Sequence, residues 1–407
     1  RKEFPNMTLP QAYPDLTGVT VAQIIPRLNV GGAETTTLEI ARALRAANAR
    51  ALVVSEGGDL LSALQEAGAE TINMPVASKN PAVMLANIKR LRRLVAAESV
   101  DILHARSRAP AWSTLAAARA QKMPMVTTYH SLVHERPRAK VLYNSVMARG
   151  DIVIANSEYT GDMIRRVHGI DDARLRIVPR GCDASALAPE NFTVDMRAAK
   201  RREWGATAED FVILCPARIT EVKGQHILLG AMAQLPANTK AFIVFAGSAD
   251  GRPEFMTLLE RQVAATSLSA RVHFAGLVRD MPCAYAASDL EIVPTVRCEP
   301  FGRTIIEAQA AGLPVIASNA GGYRETVVNR PPEDGGTGWL VPPNDSDALA
   351  QAIGTAMNQS AKARAKMVSN GRARVAENFQ QEVMCARTLA IYAELVREAH
   401  GNSVRGA

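Results

Sequence analysis

Short runs of consecutive apolar residues, each followed by a turn and then by a segment of helical periodicity, recur through most of the 407 residues. Unbroken apolar runs of this length suit strands covered on both faces of a parallel sheet. Residues 19–25 form the first run and Pro26 ends it. After the turn Asn29-Val30-Gly31-Gly32-Ala33-Glu34, residues 35–46 repeat at helical spacing, so the chain opens with a βα unit. Further strands are predicted over 51–54, 101–105, 125–130 and 151–156, with helices over 60–67 and 84–98 and a third capped by Ser157.

A polar stretch over 184–202 interrupts the alternation and reads as a linker with a short basic helix. Strands then resume over 211–216, 241–247, 272–276 and 289–294, and again from Val315. Alternation on both sides of a linker implies an α/β protein of two doubly wound domains facing a cleft, with strand-end loops aimed at it. The expected divisions are an arm over 1–18, a first domain over 19–185, a linker over 186–206 and a second domain over 207–380. A C-terminal helix over 381–407 is expected to pack back toward the first domain.

Composition narrows this only at the edges. Hydrophobic residues make up 47%, enough for two large cores. No apolar run reaches the roughly 18 residues a membrane helix needs, and the N-terminus lacks the apolar core of a signal peptide, so a cytoplasmic protein is expected. The five cysteines are scattered, without zinc or redox spacing. The net charge of +7 is uneven, with 24 Lys and Arg against 18 Asp and Glu over 1–190 and 23 against 22 over 191–407. Its densest parts are Lys89-Arg90-Leu91-Arg92-Arg93-Leu94 and Arg136-Pro137-Arg138-Ala139-Lys140. These fit an anionic membrane surface, an anionic acceptor, or a solvated helix face. Nucleic acid is not expected as a partner, because no aromatic residues interleave with the charges.

Candidate chemistry concentrates in residues 298–318. Glu299 sits in the loop beyond a strand end, and the loop enters a helix predicted over 303–311, stopped by Gly312 and Pro314. Glu307 then leans back toward the helix N-terminus, where Phe301 and Gly302 offer backbone N–H groups and Pro300 none. A ligand bearing both hydroxyls and phosphates fits such a site; two solvated carboxylates are the plainer alternative. Arg218 and Lys223 form either a basic pair after a strand or a surface pair beside Glu221. Gly31 and Gly32 lack the three spaced glycines of the dinucleotide fingerprint, and make either a tight turn or a close approach to phosphate. His130 ends its strand as a reacting or a structural histidine, and His134 reads as incidental because its surroundings lack the zinc-protease order.

In this order the pieces resemble the retaining glycosyltransferases of family 4, which have the GT-B fold of two Rossmann-like domains facing a central cleft. The resemblance covers residues 19–398. It rests on Gly31-Gly32-Ala33-Glu34, His130, Arg218 with Lys223-Gly224, Glu299-Pro300-Phe301-Gly302, Glu307-Ala308, Gly312-Leu313-Pro314-Val315, and Gly321-Gly322 with Glu325. It implies that Glu299 lies against the donor sugar and Glu307 holds the ribose hydroxyls. Arg218 and Lys223 would stabilise the leaving diphosphate, and Gly31 and Gly32 would approach it from the first domain. His130 becomes the histidine near the reacting centre. Leu277 and Val278 hold the base through backbone, and Phe301, Gly302 and Arg303 border the donor.

The resemblance further implies a UDP- or GDP-sugar as donor, no metal and no other cofactor. The acceptor would be an envelope glycan or glycolipid such as a lipopolysaccharide core, met at the inner face of the membrane. A non-catalytic sugar-nucleotide-binding partner and a nucleotide-sugar epimerase are the alternatives of other classes. Two turns depart from the family pattern, Arg180-Gly181-Cys182-Asp183 and Gly247-Ser248-Ala249-Asp250-Gly251, and both are expected to alter loop shape rather than chemistry.

Overall fold

A computed structural model describes residues 13–405, apart from Val30, His134, Ala237, Asp250 and Ser267 and the side chains of 400–405. Most of the expected arm and His134 therefore lie outside the described residues. The chain divides into two compact units, one of Arg1–Arg180 with Gln381–Ala407 and one of Gly181–Gln380.

Unit 1 holds seven strands, β1 (Thr20–Ile24), β2 (Arg50–Ser55), β3 (Glu70–Asn73), β4 (Ile102–Ala105), β5 (Met125–Tyr129), β6 (Ile152–Ala155) and β7 (Leu175–Ile177). All pair in parallel in the order β3-β2-β1-β4-β5-β6-β7. The central strands are the apolar runs of the sequence. The edge strand β3 is not such a run, because Glu70 and Asn73 are exposed and only half of it needs to be apolar. Strand order reverses between β1 and β4, which sets the loops after these strands on either side of a crevice at their carboxyl ends. The helix after β4 begins at Arg108, so Pro110 lies in its first turn, a position that tolerates the missing N–H.

The C-terminal helix Gln381–Arg405 belongs to unit 1 and supplies Met384, Cys385, Leu389, Ile391, Tyr392 and Leu395 to its core. It also closes a polar inlay in the sheet. His104 of β4 is fully buried, with Nδ1 2.6 Å from the Tyr392 hydroxyl and Nε2 2.7 Å from Thr128 Oγ1. Burial, with nearby Arg106, pulls the His104 pKa well down, so the ring is neutral and one nitrogen donates while the other accepts.

Unit 2 holds β8 (Phe211–Cys215), β9 (Ala241–Ala246), β10 (Val272–Gly276), β11 (Leu290–Val293), β12 (Val315–Ser318) and β13 (Gly338–Val341). These are parallel in the order β10-β9-β8-β11-β12-β13, with the reversal between β8 and β11. The stretch 186–206, expected as a linker, is part of unit 2. It contains a helix, Val194–Trp204, whose Trp204 is buried and whose Arg201 pairs with Asp289 at 2.7 Å. The polarity seen in the sequence is the exposed face of this docked helix.

Tyr392→Phe removes one partner of a buried imidazole, and an unsatisfied buried group costs about 1–3 kcal/mol. Urea unfolding of the full chain should show that loss in unit 1. Parental stability of the variant would mean that the inlay does not tie the helix down.

Candidate active site

In unit 2 the loop after β8 is pinned to the end of β11. Gly224 has φ 73°, and a Cβ there would lie 1.9 Å from the Pro294 carbonyl oxygen, so no other residue fits this approach. Lys223, just before it, consequently reaches Glu299 in the loop after β11, with Nζ 2.5 Å from Oε1 and side chains 25% and 20% exposed. A second loop holds Glu299 from behind. Gly322 N–H donates to the Glu299 carbonyl at 2.8 Å, and Gly321, at φ 62°, would bring a Cβ to 2.3 Å from that same oxygen. This packing is the physical reason for the Gly321-Gly322 pair.

The helix Arg303–Ala310 follows Gly302 and ends in the two bonds of a Schellman motif, Gly312 N–H to Gln309 and Leu313 N–H to Ala308. Glu307 lies at its middle, with its side chain turned back to the first residue. Arg303 Nε donates to Oε1 at 2.7 Å and the Tyr285 hydroxyl to Oε2 at 3.1 Å. Tyr285 keeps its proton, since burial and then Glu307 push its pKa well up. The Phe301 side chain is buried in edge contact with Phe379, which leaves only its backbone to face a ligand. Leu277 and Val278 lie beyond β10 in an exposed loop with Leu277 open to solvent. Arg218 is exposed and makes no ion pair among the described residues, so the structure joins Lys223 to Glu299 but does not bring Arg218 to them.

Beneath this site lies Glu291, a carboxyl in the middle of β11, fully buried between Leu214 and Val315 of the neighbouring strands. Neither oxygen has a well-aligned hydrogen-bond partner among the described residues. Burial pushes its pKa up from an ordinary 4.5 to about 8; the Thr304 hydroxyl eases the shift and Glu307 adds to it. The folded chain thus keeps a proton that the unfolded chain releases, so stability from this group is complete below pH 4.5 and is lost as pH rises toward 8. The slope is about 1.4 kcal/mol per pH unit. Glu291→Gln, which cannot ionise, should raise the melting temperature near neutral pH and lose its advantage in mild acid. An advantage independent of pH, or of opposite sign, would contradict this assignment.

In unit 1 the helix Gly32–Ala46 starts at the glycine pair, and Thr35 N–H bonds to the Gly31 carbonyl at 2.8 Å. His130 follows β5 directly. Arg180 Nη2 lies 2.8 Å from His130 Nδ1. Arginine only donates, so Nδ1 is the unprotonated nitrogen and the proton sits on Nε2, which has no partner among the described residues. Burial foremost, then Arg106 and Arg180, pulls the His130 pKa well down and keeps the ring neutral. A Cβ on Gly32 would fall 2.3 Å from Arg180 Nη1, so Gly32, Arg180 and His130 form one cluster. Arg180, expected to affect only loop shape, instead fixes the tautomer of His130. Its signal in the sequence was a charged residue just past a strand end. Tyr285 gave no such signal, whereas Glu291 did, as one carboxylate inside an apolar strand.

The family model described as "Glycosyltransferase Family 4" matches residues 30–186, and that described as "Glycosyl transferases group 1" matches 196–374. A glycosyltransferase from Rickettsia africae, solved by crystallography, is 30% identical and superposes with a TM-score of 0.84 over 93% of this chain and 98% of that one. The chain belongs to glycosyltransferase family 4 and has the GT-B fold. The D-inositol 3-phosphate glycosyltransferase of Xylanimonas cellulosilytica is 28% identical over 296 residues, 69% of each chain. The same-named enzyme of Mycobacterium bovis is covered over 59% of its length. Anabaena HepE, solved with UDP and glucose, shares the fold at 24% identity, with a TM-score of 0.79 over 92% of this chain and 99% of that one.

Proposed function

We propose that the protein moves a hexosyl group from a UDP- or GDP-sugar to an anionic glycan, glycolipid or polyol acceptor, with retention at the anomeric carbon and without a metal. The observation that carries this reading is the Lys223–Glu299 pair, in the loop that leads into the helix of Glu307 and set where the strand order of unit 2 reverses. Lys223 has three donors, so it can keep Glu299 and still donate to a phosphate. With the exposed Arg218 it neutralises the diphosphate as the glycosidic bond breaks and negative charge collects there. Glu299 accepts from sugar hydroxyls and Glu307 from the ribose. The acceptor oxygen attacks the anomeric carbon on the face the diphosphate leaves, and a phosphate oxygen takes the acceptor proton. His130, neutral and protonated on Nε2, donates a hydrogen bond near the reacting centre rather than serving as a base.

Charge supports the anionic acceptor. Unit 1 has 27 Lys and Arg against 19 Asp and Glu, and unit 2 has 20 against 21. The phosphorylated polyol named for the curated relatives and a lipopolysaccharide-core glycan both fit this balance. Unit 1 also exposes Leu85 at 64% and Leu142 at 63% on basic helices, which supports contact with an anionic membrane surface. Among the described residues no helix is long and apolar enough to cross one.

Glu299→Ala and Lys223→Ala should each lower kcat/KM by at least about 100-fold, the scale for removing a group that acts on transition-state charge, while the melting curve keeps its cooperative shape. A chelator should leave the rate unchanged. Thermal shifts with UDP- and GDP-sugars identify the donor base. Transfer at the parental rate by both variants would end the assignment.

A further inference from the structure

Leu290 and Ile292 of β11 point into the apolar core on one face of the sheet of unit 2. Successive strand residues face opposite ways, so Glu291 points to the other face, toward the helices Met281–Ala286, Arg303–Ala310 and Tyr323–Thr326. Its charge, when present, acts on a group of each: Tyr285, Glu307 and Tyr323. Thr304, in the first turn of Arg303–Ala310, sets its hydroxyl beside the carboxyl. The Tyr323 ring supports the start of the same helix, since a Cβ on Gly302 would fall 2.6 Å from it. Glu291 therefore lies under the N-terminal turn of the helix that carries Glu307.

An apolar residue at this position would avoid burying a carboxyl without well-aligned partners. Tyr285, Tyr323 and Cys215 of β8, the other titratable groups among the described residues on which its charge acts, are each pushed up, foremost by burial, and keep their protons. The ion pairs around this layer are Arg303 with Glu307 and Lys223 with Glu299. An anion at Glu291 would repel the Glu307 carboxylate, and it would also take up the positive end of the helix dipole that a bound diphosphate needs. Both effects weaken a nucleotide. We propose that Glu291 is a positioning residue of the donor site, whose uncharged carboxyl leaves Glu307 and the start of its helix to a nucleoside diphosphate and whose ionisation withdraws them. The assignment rests on the transferase reading, in which Glu307 meets the ribose, and adds an alkaline limit to donor binding.

Calorimetric titration of the full chain with UDP and GDP tests it. Burial sets the ionisation at about 8, so affinity is full below that pH and falls as pH rises through it. The ratio of Glu291→Gln to parental affinity, taken at each pH, removes the nucleotide's own titration. From about pH 7 to about pH 9 that ratio should rise about fivefold or more for the nucleotide that binds. Thr304→Val removes a hydroxyl that favours the ionised form, so it should move the midpoint of the parental fall to higher pH. A side chain that only fills space would leave the midpoint in place, and Thr304→Val decides the matter if melting shows that Glu291→Gln does not fold. A constant ratio, or a midpoint that Thr304→Val leaves unmoved or lowers, would overturn the positioning role. A parent that binds neither nucleotide at any pH counts instead against the donor site itself, and the positioning role falls with it.

Discussion

In an all-parallel sheet every strand delivers its carboxyl end to the same edge, and where strand order reverses, two adjacent strands send their chains to opposite faces. The gap this leaves cannot be filled by the protein's own helices. Both units obey this constraint, and their unusual side chains gather at it. In unit 2 the loops after β8 and β11 bring Lys223 to Glu299; in unit 1 the chain after β1 and β4 brings Glu34 and Arg106 to one crevice. Backbone contacts that only glycine permits, at Gly224 and Gly321, turn an opening required by topology into a site with fixed geometry.

Each sheet also carries polar groups one layer beneath its site, where an apolar residue would pack more cheaply. His104 is satisfied from both sides, by Tyr392 and Thr128, and therefore stiffens the floor under His130. Glu291 is not satisfied, and stays neutral because ionising there is too costly. A neutral carboxyl there adds no further negative charge beside Glu307. Arg106 cannot escape its charge in the same way, so the first sheet retains a cation where the second retains an acid without charge.

Much of this was legible in the chain itself. Apolar runs located ten of the thirteen strands because central parallel strands are buried on both faces, and β3, β7 and β13 escaped because edge strands need no such run. The sequence reading set Glu299 and Lys223 in loops after strands, Glu307 on the helix that follows and His130 where a strand runs out, and each lies there in its unit; their roles rest on the proposal. Hydrogen-bond partners were not legible. That Arg180 faces His130, or that Tyr285 faces Glu307, depends on the packing of segments 50 and 22 positions apart, which no local pattern encodes. The short basic helix expected in the linker is there, as Val194–Trp204, but docked as part of unit 2, since a polar outer face looks from sequence like a spacer.

The return of the last helix to the first unit makes unit 2 an insertion within unit 1. During synthesis the strands of unit 1 leave the ribosome early but still lack Leu389, Tyr392 and Leu395, while unit 2 is complete once Gln380 has emerged. The inserted unit can therefore finish folding while its host is unfinished, with part of an apolar surface uncovered. A chain cut short within its final thirty or so residues would be a whole unit 2 tethered to an open core, a natural substrate for chaperones and proteases.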